Sequence, residues 1–263
     1  MLKRELKINR KGLIIWTIVG LFLFSITYIT YFNMDMSETS KSINDMLAVM
    51  PKEIIKMFNM DIVGIDTVFG WFKTEGYTFI TLITCLYAAI LGSNILLKEE
   101  NDKTIEFLHS KPITRSNIVS SKIWSGLINI GIMFAILTLF NIIGMALSDN
   151  LQIKLLLMLC LAPMATAIPL FFVCMFISTF FDKTSKVNGI GIGLVFISYF
   201  LQLISSINDD VSFFKYFSLF TLSDGREIIT NNSLNLASII ISLIIIIISV
   251  TGIYYKYNKK ELV

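Results

Sequence analysis

Residues 155–181 read LLLMLCLAPMATAIPLFFVCMFISTFF and contain no Asp, Glu, Lys or Arg. A bilayer core about 30 Å thick is crossed by roughly 20 apolar residues of helix, so the stretch reads as a membrane span. Pro163 and Pro169 inside it predict a bend, and hinge behaviour is the functional route open to them.

Five further runs have the same character: Leu13–Phe32, Tyr77–Leu97, Ile123–Leu147, Val187–Ile207 and Leu236–Tyr255. The chain of 263 residues is 55% hydrophobic and only 16% charged, with a mean hydropathy of +0.73. That balance is too apolar for an ordinary soluble globule. The expectation is an all-α polytopic membrane protein, one transmembrane domain over residues 1–263 with six spans. The first run has a basic flank, but it is longer than a signal-peptide core of roughly 7 to 15 residues. No small-x-small cleavage site follows Tyr31, so it reads as a retained span.

Orientation follows from the cations. Lys3, Arg4, Lys7, Arg10 and Lys11 precede the first span; Lys98, Lys103, Lys111, Arg115 and Lys122 follow the second; Lys183, Lys186, Lys256, Lys259 and Lys260 flank the later ones. These are most of the 22 basic residues, and all fall on one side if both termini are cytoplasmic. Topology thus accounts for the net charge of +3, and no basic, aromatic-interleaved face suggests a nucleic-acid partner.

In the N-terminal lead, Leu2, Leu6 and Leu13 fall near one helical face, as in a helix lying in the inner interface. Plain positive-inside anchoring accounts for the same residues. On the outer side, residues 33–76 carry Ile43, Met46, Leu47, Met50, Ile54, Met57 and Phe58 at helical spacing, with Pro51 suited to a first turn. Outer interfacial helices are expected there. A second outer segment, Asn208–Asn235, is rich in aromatics, including Phe213, Phe214, Tyr216, Phe217 and Phe220, and reads as an aromatic belt or as a substrate site.

Within the spans, ionisable residues are nearly absent, which argues against proton pumps, ion-coupled carriers and charged pores. Gly189 and Gly193, four apart in GIGIG, are suited to close helix approach. Cys85, Cys160 and Cys174 all lie in spans, where a thiol behaves as a small hydrophobe. His109 is the single histidine and has no ligand partner at metal spacing. Ser25, Ser93, Ser178 and Ser198 lack a nearby intramembrane base, which disfavours an intramembrane enzyme. An ATP-independent channel or a membrane anchor protein remains an alternative, weakened by the missing pore charges.

The charged island between the second and third spans, residues 98–122, carries an apolar stripe of Ile105 and Leu108 with Phe107 beside them. Asn101 or Asp102 can cap a short amphipathic helix, Pro112 breaks it, and Thr114 can cap a new helix through Arg115 and Ile118. The run Glu99, Glu100, Thr104, Glu106, Leu108, Pro112, Arg115, Lys122 resembles the pattern between the second and third spans of type 2 ABC exporter permeases. The resemblance extends over nearly the whole chain: the lead Glu5–Lys11, the outer segment Met50–Ile54, Glu75 and the six spans. The tail of the pattern departs from it, His109 and Lys111 being more basic than the small or apolar residues usual there.

That resemblance implies a multi-pass protein of a bacterial plasma membrane that performs no bond chemistry itself. The island becomes the coupling helix that docks on a cytoplasmic ABC ATPase, with Thr104, Ile105, Glu106, Phe107, Leu108, Pro112 and Arg115 as docking candidates. The chain has no G-x(4)-G-K-[ST] loop, so ATP and magnesium would be bound by the partner ATPase and no cofactor by this chain. A second permease, identical or different, completes the implied assembly, surrounded by membrane lipid. Apolar and hydroxyl side chains dominate the spans, so the expected substrate is hydrophobic or amphipathic: an antimicrobial peptide, a lipid or a drug.

Overall fold

Backbone amides in hydrocarbon have no water to turn to, so apolar runs of this length are stable only as helices or in closed barrels. The computed structural model describes residues 1–34, 36–51, 54–55, 68–104, 113–146, 153–207, 209–231 and 233–259, and no strand occurs among them. Six helices are long and apolar enough to cross a membrane. They are α1 (Leu2–Asn33), α2 (Tyr77–Ile95), α3 (Arg115–Ala146), α4 (Ile153–Ser178), α5 (Thr184–Ser205) and α6 (Leu236–Lys259). The six expected spans are all present, their ends displaced by several residues.

Two of those displacements are informative. The lead does not lie apart in the interface: α1 runs unbroken from Leu2 through the first span, 32 residues in all. At 1.5 Å per residue that is about 48 Å, well beyond the hydrocarbon thickness. Its first turns therefore extend past the membrane to pack on the base of the bundle, the end that carries both termini. Similarly, α3 begins at Arg115, with Thr114 Oγ1 accepting the Asn117 N–H at 3.3 Å as the sequence led us to expect of its cap.

The bundle is centred on α2 and α4. In each, 61% of the most apolar window is buried, against 22% in α1, α5 and α6. Small residues let α4 approach its neighbours: a Cβ on Gly92 of α2 would lie 2.3 Å from the Phe171 carbonyl oxygen, and one on Gly126 of α3 would lie 2.3 Å from the Phe171 ring. Helix α1 packs mainly on α3, while α5 and α6 flank α2 and α4 respectively. One polar clamp ties α1, α3 and α4 together: Tyr28 Oη donates to Asn141, whose Nδ2 lies 3.1 Å from Cys160 Sγ. The three cysteines are buried and unbonded to one another.

At the far end, the first expected outer helix is found at Met36–Val49, while most of the second, expected from Pro51 through Phe58, lies outside the described residues; a short helix not foreseen from the sequence, Val68–Trp71, passes through a wide π-helical turn, Phe72–Gly76, into α2. The second outer segment forms two 3₁₀ helices, Asp209–Phe217 and Leu219–Ser223, and a short α-helix at Gly225–Asn231. It divides in role: Phe213, Tyr216 and Phe217 are exposed, whereas Phe220 belongs to the core. Thr166, midway between Pro163 and Pro169 in a continuous α4, lies 3.0 Å from Ser223 Oγ and donates to the Leu219 carbonyl at 3.3 Å. Both prolines are buried.

The glycine expectation needs correction within the chain. Gly189 and Gly193 face open space, and a Cβ on either would meet nothing within 4 Å. The close approach is made by Gly191 between them, where a Cβ would lie 2.9 Å from Ser93 Oγ and 3.3 Å from Cys174 Sγ. Residues two apart sit on opposite sides of a helix, so only one of the two faces of GIGIG can meet α2 and α4.

Two helix-interior glycines should respond oppositely to substitution. Gly92→Ala forces backbone against backbone and should destabilise by about 1–3 kcal/mol. Gly131→Ala, whose Cβ would meet nothing within 4 Å, should stabilise by about 0.5–1 kcal/mol through lost unfolded-state freedom. Thermal unfolding of the detergent-purified variants reads both signs; equal shifts would mean that α2 does not touch α4 at Gly92.

Candidate functional site

Of the docking candidates, Ile105, Glu106, Phe107, Leu108 and Pro112 lie outside the described residues. Thr104 and Arg115 stand at the two edges of that segment, and the geometry of those edges is well defined.

On the leading edge, α2 is followed by a single helical turn, Lys98–Asn101. The turn ends with the Lys103 N–H donating to the Glu100 carbonyl at 3.2 Å and the Thr104 N–H to the Glu99 carbonyl at 2.8 Å. Lys103 takes the left-handed conformation, φ 54°, at the position glycine usually fills in this closing motif. Asn101 and Asp102 therefore finish a helical turn, and with Lys103 left-handed neither caps a helix starting directly after it, contrary to the sequence expectation. The reason is local: the last carbonyls of the turn need donors, and a left-handed residue brings the following N–H groups back to them. Thr104 leaves this turn exposed.

On the trailing edge, Arg115 turns inward. Its Nη1 donates to the Asn258 carbonyl at 3.0 Å and the Tyr257 carbonyl at 3.4 Å, in the last turn of α6. A cation at a helix C-terminus satisfies otherwise unpaired carbonyls and meets the negative end of the dipole. One turn further along α3, Ser120 Oγ and Tyr254 Oη are 2.7 Å apart. The start of α3 is thus fastened to the end of α6.

Between the two edges lies a buried ionic cluster. Lys122 is 0% exposed, Glu5 1% and Glu99 2%. Lys122 Nζ lies 2.6 Å from Glu99 Oε2 and 3.6 Å from Glu5 Oε2, and it also donates to the Ile95 carbonyl. That carbonyl belongs to the last turn of α2, where no intrahelical donor remains. One ammonium group therefore joins α1, the end of α2 and α3. Glu5 Oε1 and Glu99 Oε1 each lack a hydrogen-bond partner among the described residues, so Lys122 is the cation on which both carboxylates depend.

Sequence reading placed Lys122 and Glu99 in the cytoplasmic island and Glu5 in the N-terminal lead, and gave none of the three a partner. Lys122 carried a legible signal nonetheless: it follows Ile118 and Val119 at helical spacing, and both of those are fully buried. Nothing in the local sequence marks Glu5 as its partner, because that pairing depends on how α1 crosses the base. Pro163, Pro169, Gly189 and Gly193 lie in α4 and α5, and none of the contacts described at this base involves them. Among the described residues no group of three His, Cys, Asp or Glu side chains is placed to hold a metal.

Removing a single partner from a buried ion pair costs about 3–5 kcal/mol, because the charge left behind stays desolvated. Lys122→Met should therefore lower the thermal stability of the purified protein by that order. The triple replacement Glu5→Leu, Glu99→Leu, Lys122→Met should recover much of it. A triple variant less stable than Lys122→Met alone would show that the three groups do not act as one neutralising unit.

No curated protein and no solved structure matches the chain. The model of the ABC-2 family transporter proteins matches residues 1–262. A chain with six helices long and apolar enough to cross a membrane, matched over residues 1–262 by that family, belongs to the ABC-2 family and is a membrane permease of the ABC transporters.

Proposed function

We propose that this permease is the export subunit of an ATP-driven transporter and that residues 104–108, with Pro112 and Arg115 behind them, seat it on a separate cytoplasmic ATPase. The observation that carries this reading is the family match along the whole chain. The base geometry supports it, because both edges of the segment are fixed to the bundle. A push on the segment reaches α2 and α1 through Glu99, Lys122 and Glu5, and reaches α3 and α6 through Arg115.

The partner ATPase would bind ATP and magnesium and supply the hydrolysis. This chain's residues receive the resulting displacement. Rigid helices joined by buried ionic contacts transmit it as rocking of the bundle, the usual form of such switching. With a second permease opposite, a cavity between the two chains would alternate between the sides of the membrane. Apolar and hydroxyl side chains dominate the spans, which favours a hydrophobic or amphipathic cargo such as an antimicrobial peptide, a lipid or a drug.

Co-purification tests the docking surface. A soluble ATPase should accompany the wild-type chain and be lost with Glu106→Lys or Leu108→Asp, each of which places a charge where the proposed partner meets a carboxylate or an apolar side chain. Retention of the partner by both variants would remove residues 104–108 from the interface. In the intact complex, amphipathic peptides or lipids should raise ATPase activity; stimulation only by a small polar solute would overturn the cargo class.

A further inference from the structure

A cavity of about 420 Å³ opens at the base between the first turns of α1, the end of α2 and the start of α5, within the roughly 300–1,000 Å³ range of ligand sites. Its lining changes character with depth. Trp16 and Tyr87, whose ring centroids are 6.2 Å apart, form its apolar part with Ile90 and Leu91, inside the first and second spans. Lys11 and Lys98 line the part just beyond those spans, together with one acid, Asp102. Neither lysine has an ion-pair partner among the described residues. Thr184, the first residue of α5, adds the positive end of a helix dipole.

Two buried polar atoms of the lining are left without a hydrogen bond among the described residues: Tyr87 Oη and Asn9 Nδ2. Tyr87 is only 3% exposed, and a buried polar group without a partner points to something missing from the site. Gly12 borders the cavity without a side chain of its own, and a Cβ there would meet nothing within 4 Å, as is also true at Gly131, Gly189 and Gly193.

We infer that the cavity holds the phosphate headgroup of an anionic phospholipid, its acyl chains lying along the apolar part between α1 and α2. Lys11 and Lys98 neutralise the phosphate, Asn9 and Tyr87 donate to its oxygens or to the headgroup hydroxyls, and Gly12 leaves the room it needs. The net positive lining selects against a zwitterionic headgroup. Both lysines belong to the cation-rich end of the chain, so on the topology argued above the lipid is drawn from the inner leaflet. The site stands whether or not that lipid is cargo.

Native mass spectrometry of the purified transporter tests this, with phosphatidylglycerol, phosphatidylcholine and inorganic phosphate as probes. One phosphatidylglycerol per chain should be retained in preference to phosphatidylcholine. Lys11→Gln and Lys98→Gln should each weaken retention about fivefold. Gly12→Leu, which fills the space without removing a charge, should abolish it. Lys7→Gln with Arg10→Gln removes two exposed charges from the same helix outside the cavity and should leave it unchanged. Equal retention of the two lipids, or equal loss in the Lys7/Arg10 control, would overturn the proposal. So would normal binding by Gly12→Leu, and so would displacement of the lipid by millimolar phosphate, which would mark a site for a soluble anion.

Discussion

Phe171 is the peg around which the bundle is assembled. Its carbonyl faces the bare backbone of Gly92, and its ring fills the space left by Gly126, so α4 touches α2 and α3 at one residue. In lipid, hydrophobic burial does not drive helices together, because acyl chains are as apolar as leucine; close packing and a few hydrogen bonds have to suffice. Two glycines facing one phenylalanine achieve that approach. Much else follows, since α2 and α3 are the helices that bracket the cytoplasmic segment, and both are held to the same point of the core.

The base adds electrostatic constraint to this packing. Lys122 sits where three segments converge and is surrounded by two carboxylates and a helix-terminal carbonyl. Arg115 performs a related task for α6, using the same chemistry of cation and unpaired carbonyl. The segment proposed to meet the ATPase is therefore anchored at both ends, and its short closing turn through Lys103 sets the direction in which it departs. A flexible tether would absorb a push; a segment whose two roots are hydrogen-bonded to the bundle passes it on. The cavity beside α1 lies close to the same roots, sharing Lys98, Asn101 and Asp102 with the turn that leads into the segment.

The fold was legible because membrane helices leave a strong signal. Long runs without charge and a proline-tolerant span have a single physical cause, the lack of water in the bilayer. The lateral arrangement was not legible. GIGIG offers three glycines and two faces, and only the position of Ser93 and Cys174 decides that Gly191 is the packed one. Lys122 and Glu99 were visible as positions of a family pattern, but their burial came from Glu5, more than ninety residues away in sequence. Arg115 is a docking candidate through the family resemblance; its bonds to Tyr257 and Asn258 depend on where the last helix ends and could not be read from the sequence. Charges at the rim of a bundle read as solvated whenever the helix that covers them is distant in sequence.

The base cluster also bears on how the chain enters the membrane. Glu99 lies in the turn that follows α2 and Lys122 in α3, so these two neighbouring segments bring a compensated charge pair to the bilayer boundary together. Glu5 emerges from the ribosome long before its cation exists. It can stay in water beside the inner headgroups until those segments arrive, and only then does neutralisation make its burial tolerable. In the finished fold the burial of Glu5 on α1 is thereby tied to a cation that only α3 supplies.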